Sequence, residues 1–307
     1  SRPAAFALTR WLAGPWRSVG MSASDGKLAI IGWPVGHSRS PLIHNHWLAA
    51  RGEAPLYQPY PIDPKDDFRR ALEEMAAAGF IGANVTVPHK AAAFDAMDTL
   101  SAAAEKIGAV NTISFKGGRL LGANTDGDGF VASLDAAMLA DEGQDWRHQP
   151  ALVLGAGGAA RAIIAALGAA GVPDIRVVNR SRDKAEALMG LADNMHVDDW
   201  AARHRMVEGC GLLVNATSLG MAGQPALEMP KAMLGALSPR ALICDIVYAP
   251  LETPLLRAAR AGGHIGVDGL GMLLQQAALS FEIWRGERPP IDAALREKLI
   301  ADLGQEA

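Results

Sequence analysis

The stretch Ala151-Leu152-Val153-Leu154-Gly155-Ala156-Gly157-Gly158-Ala159-Ala160-Arg161-Ala162 implies chemistry most directly. Four apolar residues without helical spacing run into a Gly-x-Gly-x-x-Ala turn, and an alanine-rich, helix-forming run follows. Strand, tight turn and helix in that order fit a dinucleotide site. Gly155 permits the sharp turn, Gly157 lets backbone approach a pyrophosphate, and Ala160 keeps helix and strand in contact. The phosphates would rest on N–H groups at the helix N-terminus. A small-residue packing turn without ligand uses the same residue types. The next strand, Asp174 to Ser181, ends in Asn179 and Arg180, with Arg182 and Lys184 just beyond. An NAD site places a carboxylate there to hold the ribose diol, whereas guanidinium donors match a 2′-phosphate, so NADP is expected. A solvated basic helix start is the plainer reading of the same cations.

Other strand ends carry polar groups. Ser38-Arg39-Ser40-Pro41 follows an apolar run, with Pro41 suited to a first helical position and Ser40 to an N-cap. Its two hydroxyls either cap that helix or offer donors to an anion. Phe80 to Lys90 reads as a strand stopped by Pro88, leaving Lys90 at its exit. The runs Gly211 to Met221 and Ala241 to Tyr248 are apolar strands ending in small polar residues and a tyrosine, where ligands of parallel α/β sheets bind. His44 and His46, two apart, fall on different helical faces and argue against a shared metal.

These groups need a frame, and the chain is long enough to supply one. Its 307 residues suffice for two domains, each with a core. Strands alternate with helices, so an α/β fold with largely parallel sheets is expected. The readings are a strand at Lys27–Gly32, a turn-rich segment around Pro59-Tyr60-Pro61 and an amphipathic helix from Lys65 to Ala78. A continuous helix from Ala91 to Lys106, a strand from Ile107 to Thr112 and a hairpin at Lys116-Gly117-Gly118-Arg119 follow. Residues 1–26 read as a disordered N-terminal extension, with residues 1–20 upstream of a start at Met21; the acid-poor, Arg-bearing beginning also suits a transit peptide. Residues 27–126 and 270–307 form a substrate-binding domain, and residues 127–269 a Rossmann-like dinucleotide-binding domain. The helix beginning near Leu270 returns to the first domain. Net charge is only −4, so no basic field gathers nucleic acid or an anionic membrane, and the partner should be small. Two cysteines, Cys210 and Cys244, form neither a disulfide framework nor a zinc site. A soluble protein in a reducing, cytoplasmic compartment is expected, without metal.

Ser38-Arg39-Ser40-Pro41, Asn84-Val85-Thr86-Val87-Pro88-His89-Lys90, Ala109-Val110-Asn111-Thr112, Asn124-Thr125-Asp126, Asn215-Ala216-Thr217-Ser218 and Gly271 to Ala277 together resemble the successive signatures of the shikimate dehydrogenase family. The series runs in order over about residues 27 to 290. The resemblance implies NADP-linked interconversion of shikimate and 3-dehydroshikimate by hydride transfer, on the way to aromatic amino acids. By position it implies a catalytic pair, Lys90 and Asp126. Ser38, Ser40 and Tyr248 match carboxylate-binding groups, and Thr86, Asn111 and Gln276 match groups that hold the ring hydroxyls. For the cofactor it implies Gly155, Ala156, Gly157, Gly158 and Ala159 at the turn and Asn179, Arg180, Ser181 and Lys184 near the 2′-phosphate. Ala216, Thr217, Ser218, Val247, Gly269 and Met272 complete that set. A quinate or aminoshikimate dehydrogenase is the nearest alternative, with Ser40 favouring shikimate. A binding module that senses nicotinamide without turnover is the alternative from another class. The protein is expected as a monomer or homodimer.

Overall fold

The computed structural model describes residues 26–141 and 145–304, so the expected N-terminal extension lies outside the described residues apart from Gly26. The chain divides into two compact units. The first comprises residues up to Leu100, Val110–Ala123 and Ala277–Asp292; the second comprises Ser101–Ala109, Asn124–Gln276 and residues from Ala293 on.

In chain order the first elements are β1 (Lys27–Gly32), α1 (Ser40–Ala50), β2 (Tyr57–Pro61), α2 (Phe68–Ala77), β3 (Phe80–Val85) and α3 (Lys90–Ala96). After them come β4 (Thr99–Leu100), α4 (Ala102–Ile107), β5 (Thr112–Lys116) and β6 (Arg119–Ala123). All of these but α4 belong to the first unit, whose six-stranded sheet has the order β2-β1-β3-β5-β6-β4. Only β5 runs antiparallel to its neighbours, because the Lys116–Arg119 hairpin turns the chain through Gly117 and Gly118, both at positive φ. The buried side chains Leu28, Ile31, Ile43, Leu48, Leu72, Met75 and Ile113 fill its core, each stabilising by about 1.5–3 kcal/mol.

Three expectations change here. The Pro59-Tyr60-Pro61 segment is not a turn but the edge strand β2, where a missing N–H is tolerated. Asn45 of α1 holds that edge by giving its amide nitrogen to the Tyr57 carbonyl (2.9 Å) and taking the Tyr57 N–H (3.0 Å). The continuous helix expected from Ala91 to Lys106 is interrupted. Asp98 accepts the Leu120 N–H at 2.8 Å, Thr99–Leu100 pairs with β6, and Ser101 recaps α4 through the Ala104 N–H. The expected strand from Ile107 to Thr112 starts only at Thr112, since Gly108 ends α4 in the left-handed conformation.

The second unit begins its main run with α5 (Asp126–Asp141), followed by β7 (Ala151–Leu154), α6 (Gly158–Ala169), β8 (Ile175–Asn179) and α7 (Arg182–Glu186). Then come β9 (Met195–Asp199), α8 (Arg203–Met206), β10 (Leu212–Asn215), α9 (Lys231–Gly235), β11 (Leu242–Asp245), α10 (Pro254–Ala261) and β12 (Ile265–Val267). Helix α11 (Gly269–Arg285) and helix α12 (Ala293–Gly304) end the chain. The sheet is wholly parallel, in the order β12-β11-β10-β7-β8-β9, the doubly wound arrangement with its switch point between β7 and β10. Ala160, Ile163 and Leu167 of α6 join Val153, Val177 and Val214 in one core layer, while Leu152, Leu213 and Ile243 face a second. The division into units differs from the sequence boundaries at residues 101–109, 124–126, 270–276 and 293–307, so only the part of α11 from Ala277 on belongs to the first unit. Arg161 of α6 donates to the Ile107 carbonyl at 2.9 Å, and Arg296 of α12 pairs with Asp268.

Candidate active site

In the first unit the sequence-selected residues gather where β1 and β3 end. After β1 the chain turns back on itself, with the Ser38 N–H on the Val35 carbonyl at 3.1 Å. Ser38 Oγ then takes the Ser40 N–H at 3.3 Å, so Ser38 supplies the cap-like bond expected of Ser40. Arg39 occupies the cap position and Ser40 is the first helical residue, with Pro41 behind it. Thr86 follows β3, its N–H on the Ile31 carbonyl at 2.8 Å. A Cβ at Gly32 would overlap Thr86 Cγ2 at 2.6 Å, so glycine there is what admits the threonine. His89 is buried, bonded to the Ile62 carbonyl at 2.7 Å and stacked on Phe68, and it fixes the entry of α3. Lys90 is the first residue of that helix, half-buried, with its carbonyl accepting the Val110 N–H at 3.0 Å. Asn111 is buried between β3 and β6, giving its carbonyl to Val85 N–H and its N–H to Ala123.

Behind these residues lies a buried polar network that reading the sequence left unused. Tyr57 donates its hydroxyl to Asn84 Oδ1 at 2.8 Å, and Asn84 Nδ2 reaches the Asn111 carbonyl at 3.1 Å and Ser280 Oγ at 2.9 Å. Ser280 and Thr112 hydroxyls meet at 2.8 Å, and Thr112 donates to Asn111 Oδ1 at 2.8 Å. The available signal was a polar residue, Asn84, inside the apolar strand Phe80–Val85. His44 stacks on Tyr57 with ring centroids 4.2 Å apart. Complete burial lowers its pKa to about 3, so it is a neutral packing ring.

In the second unit, Gly155 has φ +108°, and a Cβ there would stand 2.9 Å from the Ala216 carbonyl oxygen. Only glycine satisfies both conditions. By contrast, Cβ atoms at Gly157 and Gly158 would meet nothing within 4 Å, and no side chain caps α6. The first turn of a twelve-residue helix is thus left open to an anion, with half-buried Ala156 and Ala159 at its rim. At the end of β8, Asn179 Nδ2 closes the turn onto the Ser181 carbonyl at 2.8 Å. Arg180, Ser181 and Lys184 are exposed. Arg182 is held by Glu186 at 2.7 Å, whereas Arg180 and Lys184 have no acidic partner among the described residues. An open helix end beside two uncommitted cations fits a phosphorylated dinucleotide and disfavours the plain packing turn.

The ends of β10 and β11 are tied together. Asn215 Nδ2 donates to Asp245 Oδ1 (2.9 Å) and to the Leu219 carbonyl (3.0 Å), while its Oδ1 takes both the Thr217 N–H and the Thr217 hydroxyl. Asp245 also accepts from Thr253 Oγ1 at 2.7 Å and from Val247 N–H at 3.1 Å. Burial pushes the Asp245 carboxyl above its usual pKa, against the pull of these hydrogen bonds. The network fixes Ala216, Thr217 and Ser218 on one side and Val247 and Tyr248 on the other. A Cβ at Gly269 would overlap the Ile246 and Val247 carbonyls, so glycine lets α11 start against that loop, with Met272 buried one turn on. Asp126, buried, opens α5 with its N–H on Asn124 Oδ1 at 3.1 Å. Thr125 donates to the Gln276 carbonyl at 3.1 Å, and Gly129 leaves room for Gln276 against α5. Asp126 and Gln276 are therefore neighbours in one helix pair.

Cys210 and Cys244 are buried, with burial pushing the Cys210 thiol up to about 11 and the Cys244 thiol further. Neither supplies a thiolate nucleophile. Among the described residues no cluster of three metal-ligating side chains occurs, and no helix is long and apolar enough to cross a membrane.

The sequence matches three family descriptions: "Shikimate dehydrogenase substrate binding domain" over residues 30–113, "Shikimate / quinate 5-dehydrogenase" over 137–246, and "Shikimate 5'-dehydrogenase C-terminal domain" over 269–297. A relative from Rhodospirillum rubrum, named shikimate dehydrogenase (NADP(+)), is 50% identical over 279 residues, covering 88% of this chain and 95% of its own. Another of the same name from Mesorhizobium japonicum is 48% identical, covering 92% and 99%. The structure of shikimate 5-dehydrogenase from Thermus thermophilus with NADP(H) and shikimate is 36% identical, with a TM-score of 0.77 over 91% of this chain and all of that one. Quinate dehydrogenase from Corynebacterium glutamicum with NAD is 28% identical, with a TM-score of 0.81 over 90% and 99%.

Proposed function

The chain belongs to the shikimate dehydrogenase family, and on that premise we propose that it is an NADP-dependent shikimate dehydrogenase interconverting 3-dehydroshikimate and shikimate. The observation that carries this reading is the open first turn of α6 beside Arg180 and Lys184, two cations without acidic partners among the described residues. A dinucleotide pyrophosphate fits the first, and a 2′-phosphate fits the second. NADP bound there supplies or accepts the hydride. Val247, Gly269 and Met272, with Ala216 to Ser218 at the strand end beside the turn, would complete the set that holds it.

The first unit holds substrate through Ser38 and Ser40, which donate to its carboxylate, and through Thr86 and Asn111 at ring hydroxyls. Tyr248 and Gln276 complete the set. Reduction leaves negative charge on the ring carbonyl oxygen, so a positioned proton donor is required. Lys90 provides charge and proton together; in the oxidative direction its amine accepts the hydroxyl proton. Asp126 is the acidic member of the proposed catalytic pair. The Asn179-Arg180 sequence and Ser40 weigh against an NAD-linked quinate enzyme. With two buried thiols and no metal needed for this step, we assign the enzyme to the cytoplasm, as a monomer or homodimer.

Purified protein mixed with shikimate and NADP should generate NADPH absorbance, more slowly with NAD and with quinate. Absence of signal with every pair would leave the binding-module reading in its place.

A further inference from the structure

We propose that Met221 is a cofactor-contacting residue, whose thioether side chain closes over the nicotinamide nucleoside of the bound dinucleotide. This assignment rests on the reading of the glycine turn as an NADP site and adds to it a residue outside the motif. Backbone bonds hold Met221 at the mouth of that turn. Ala216 and Thr217 lie against Gly155, where an added Cβ would meet the Ala216 carbonyl oxygen at 2.9 Å and Thr217 Cγ2 at 3.0 Å. From there the chain folds back at once. The Met221 N–H bonds the Ser218 carbonyl at 3.2 Å, and the Ala222 N–H bonds the Ala249 carbonyl beyond β11 at 2.9 Å. Gly220 and Gly223, at φ +89° and +76°, carry the chain through that bend. Met221 is therefore pinned between the C-terminal ends of β10 and β11, the edge of a parallel sheet where ligands bind.

Exposure and strand order together select the occupant. Leu227 and Met229 of the same loop are buried in the core and Leu219 packs against it, whereas Met221 is 42% exposed. A loop that packs those three large apolar side chains leaves an unbranched, polarisable one partly in water, where it gains from contact with a flat aromatic ring. Strand order says which ring. The cations suited to the 2′-phosphate, Arg180 and Lys184, follow β8, on one side of β7, and β10 lies on its other side. A dinucleotide with its adenosine end at β8 and its pyrophosphate on the first turn of α6 crosses the switch point, so its nicotinamide end falls at β10 and β11. Met221 stands at that end.

Methionine oxidation of the wild-type protein, read by mass spectrometry, tests this without turnover. Hydrogen peroxide transfers one oxygen atom to the thioether, giving sulfoxide and water, and a covered sulfur reacts more slowly. Met189, 54% exposed past the far end of α7, is the internal reference. Saturating NADP is expected to slow oxidation of Met221 about fivefold or more while leaving Met189 within about twofold. The fragment 2′,5′-ADP, which carries the adenosine and its 2′-phosphate but no nicotinamide, should leave both within about twofold. In calorimetric titrations Met221→Ala should weaken NADP and NAD alike, about threefold to tenfold, and Met221→Leu, which keeps the apolar contact, should stay within about twofold of wild type. The proposal is overturned if bound NADP leaves Met221 oxidation unchanged, if both methionines are slowed equally, if 2′,5′-ADP protects as well as NADP, or if Met221→Ala binds NADP as wild type does. Wild-type protein that binds no NADP in the same titration removes the cofactor reading, and this inference with it.

Discussion

Lys90 and Arg180 illustrate two kinds of legibility at the scale of single residues. Lys90 stood out because a proline-stopped strand left a lysine at its exit, and it opens α3 where β3 delivers it. Its substitution by alanine is expected to lower kcat by about 10²–10⁴-fold, the usual contribution of a positioned acid–base group. NADP binding, measured by fluorescence titration, and Tm should stay close to wild type; a variant keeping most of its turnover refutes the role. Arg180 was identified by chemical type, and the structure adds that it is exposed and without an ion pair among the described residues. Arg180→Ala should raise KM for NADP about tenfold while leaving KM for NAD nearly unchanged, since only the former carries the 2′-phosphate. Equal effects on both cofactors would place the guanidinium elsewhere. Tyr57, Asn84 and Ser280 were not legible as a group, because their hydrogen bonds join residues far apart in sequence and no local spacing records them.

Elements were readable where local chemistry decides them and unreadable where pairing does. The β7 strand, its turn and α6 follow from short-range demands: an apolar run, a glycine that must be glycine, and a run of helix formers. The Ala91 to Lys106 stretch has equally strong helix propensity, yet Asp98 and the pairing of Thr99–Leu100 with β6 break it. Helix propensity is worth tenths of a kcal/mol per residue and yields to such contacts. The prolines of β2 hid a strand whose outer side needs no donor, and β9 was missed because Met195–Asp199 is polar at alternate positions on an edge. At the glycine turn the sequence argument can be tested as geometry. Gly155→Ala must place a side chain at φ +108° and 2.9 Å from the Ala216 carbonyl. Chemical denaturation should show a loss of about 2 kcal/mol or more. NADP affinity should fall with it, whereas Gly157→Ala, with open space around its Cβ, should fold normally and lose affinity alone.

Across the whole chain, the two units carry buried titratable groups whose effects on stability have opposite signs. In the first, His44 has a folded pKa of about 3 against an ordinary 6.5, so the unfolded chain takes up its proton first as pH falls. Stability linked to His44 is therefore complete above 6.5 and erodes toward 3, by up to about 1.4 kcal/mol for each pH unit. In the second, burial raises the Asp245 carboxyl, so the folded form binds that proton more tightly and the linked stability is lost as pH rises through the raised value. A melting curve for the chain contains both contributions, and a single variant separates them. His44→Phe keeps a ring stacked on Tyr57 and removes the titration. Between pH 6 and 4, the stability difference between wild type and this variant should shift steadily against wild type; above pH 7 it should be constant. A pH-independent difference throughout would mean that His44 takes its proton as readily in the fold as out of it, contrary to its complete burial among Trp47, Tyr57, Phe281 and Trp284.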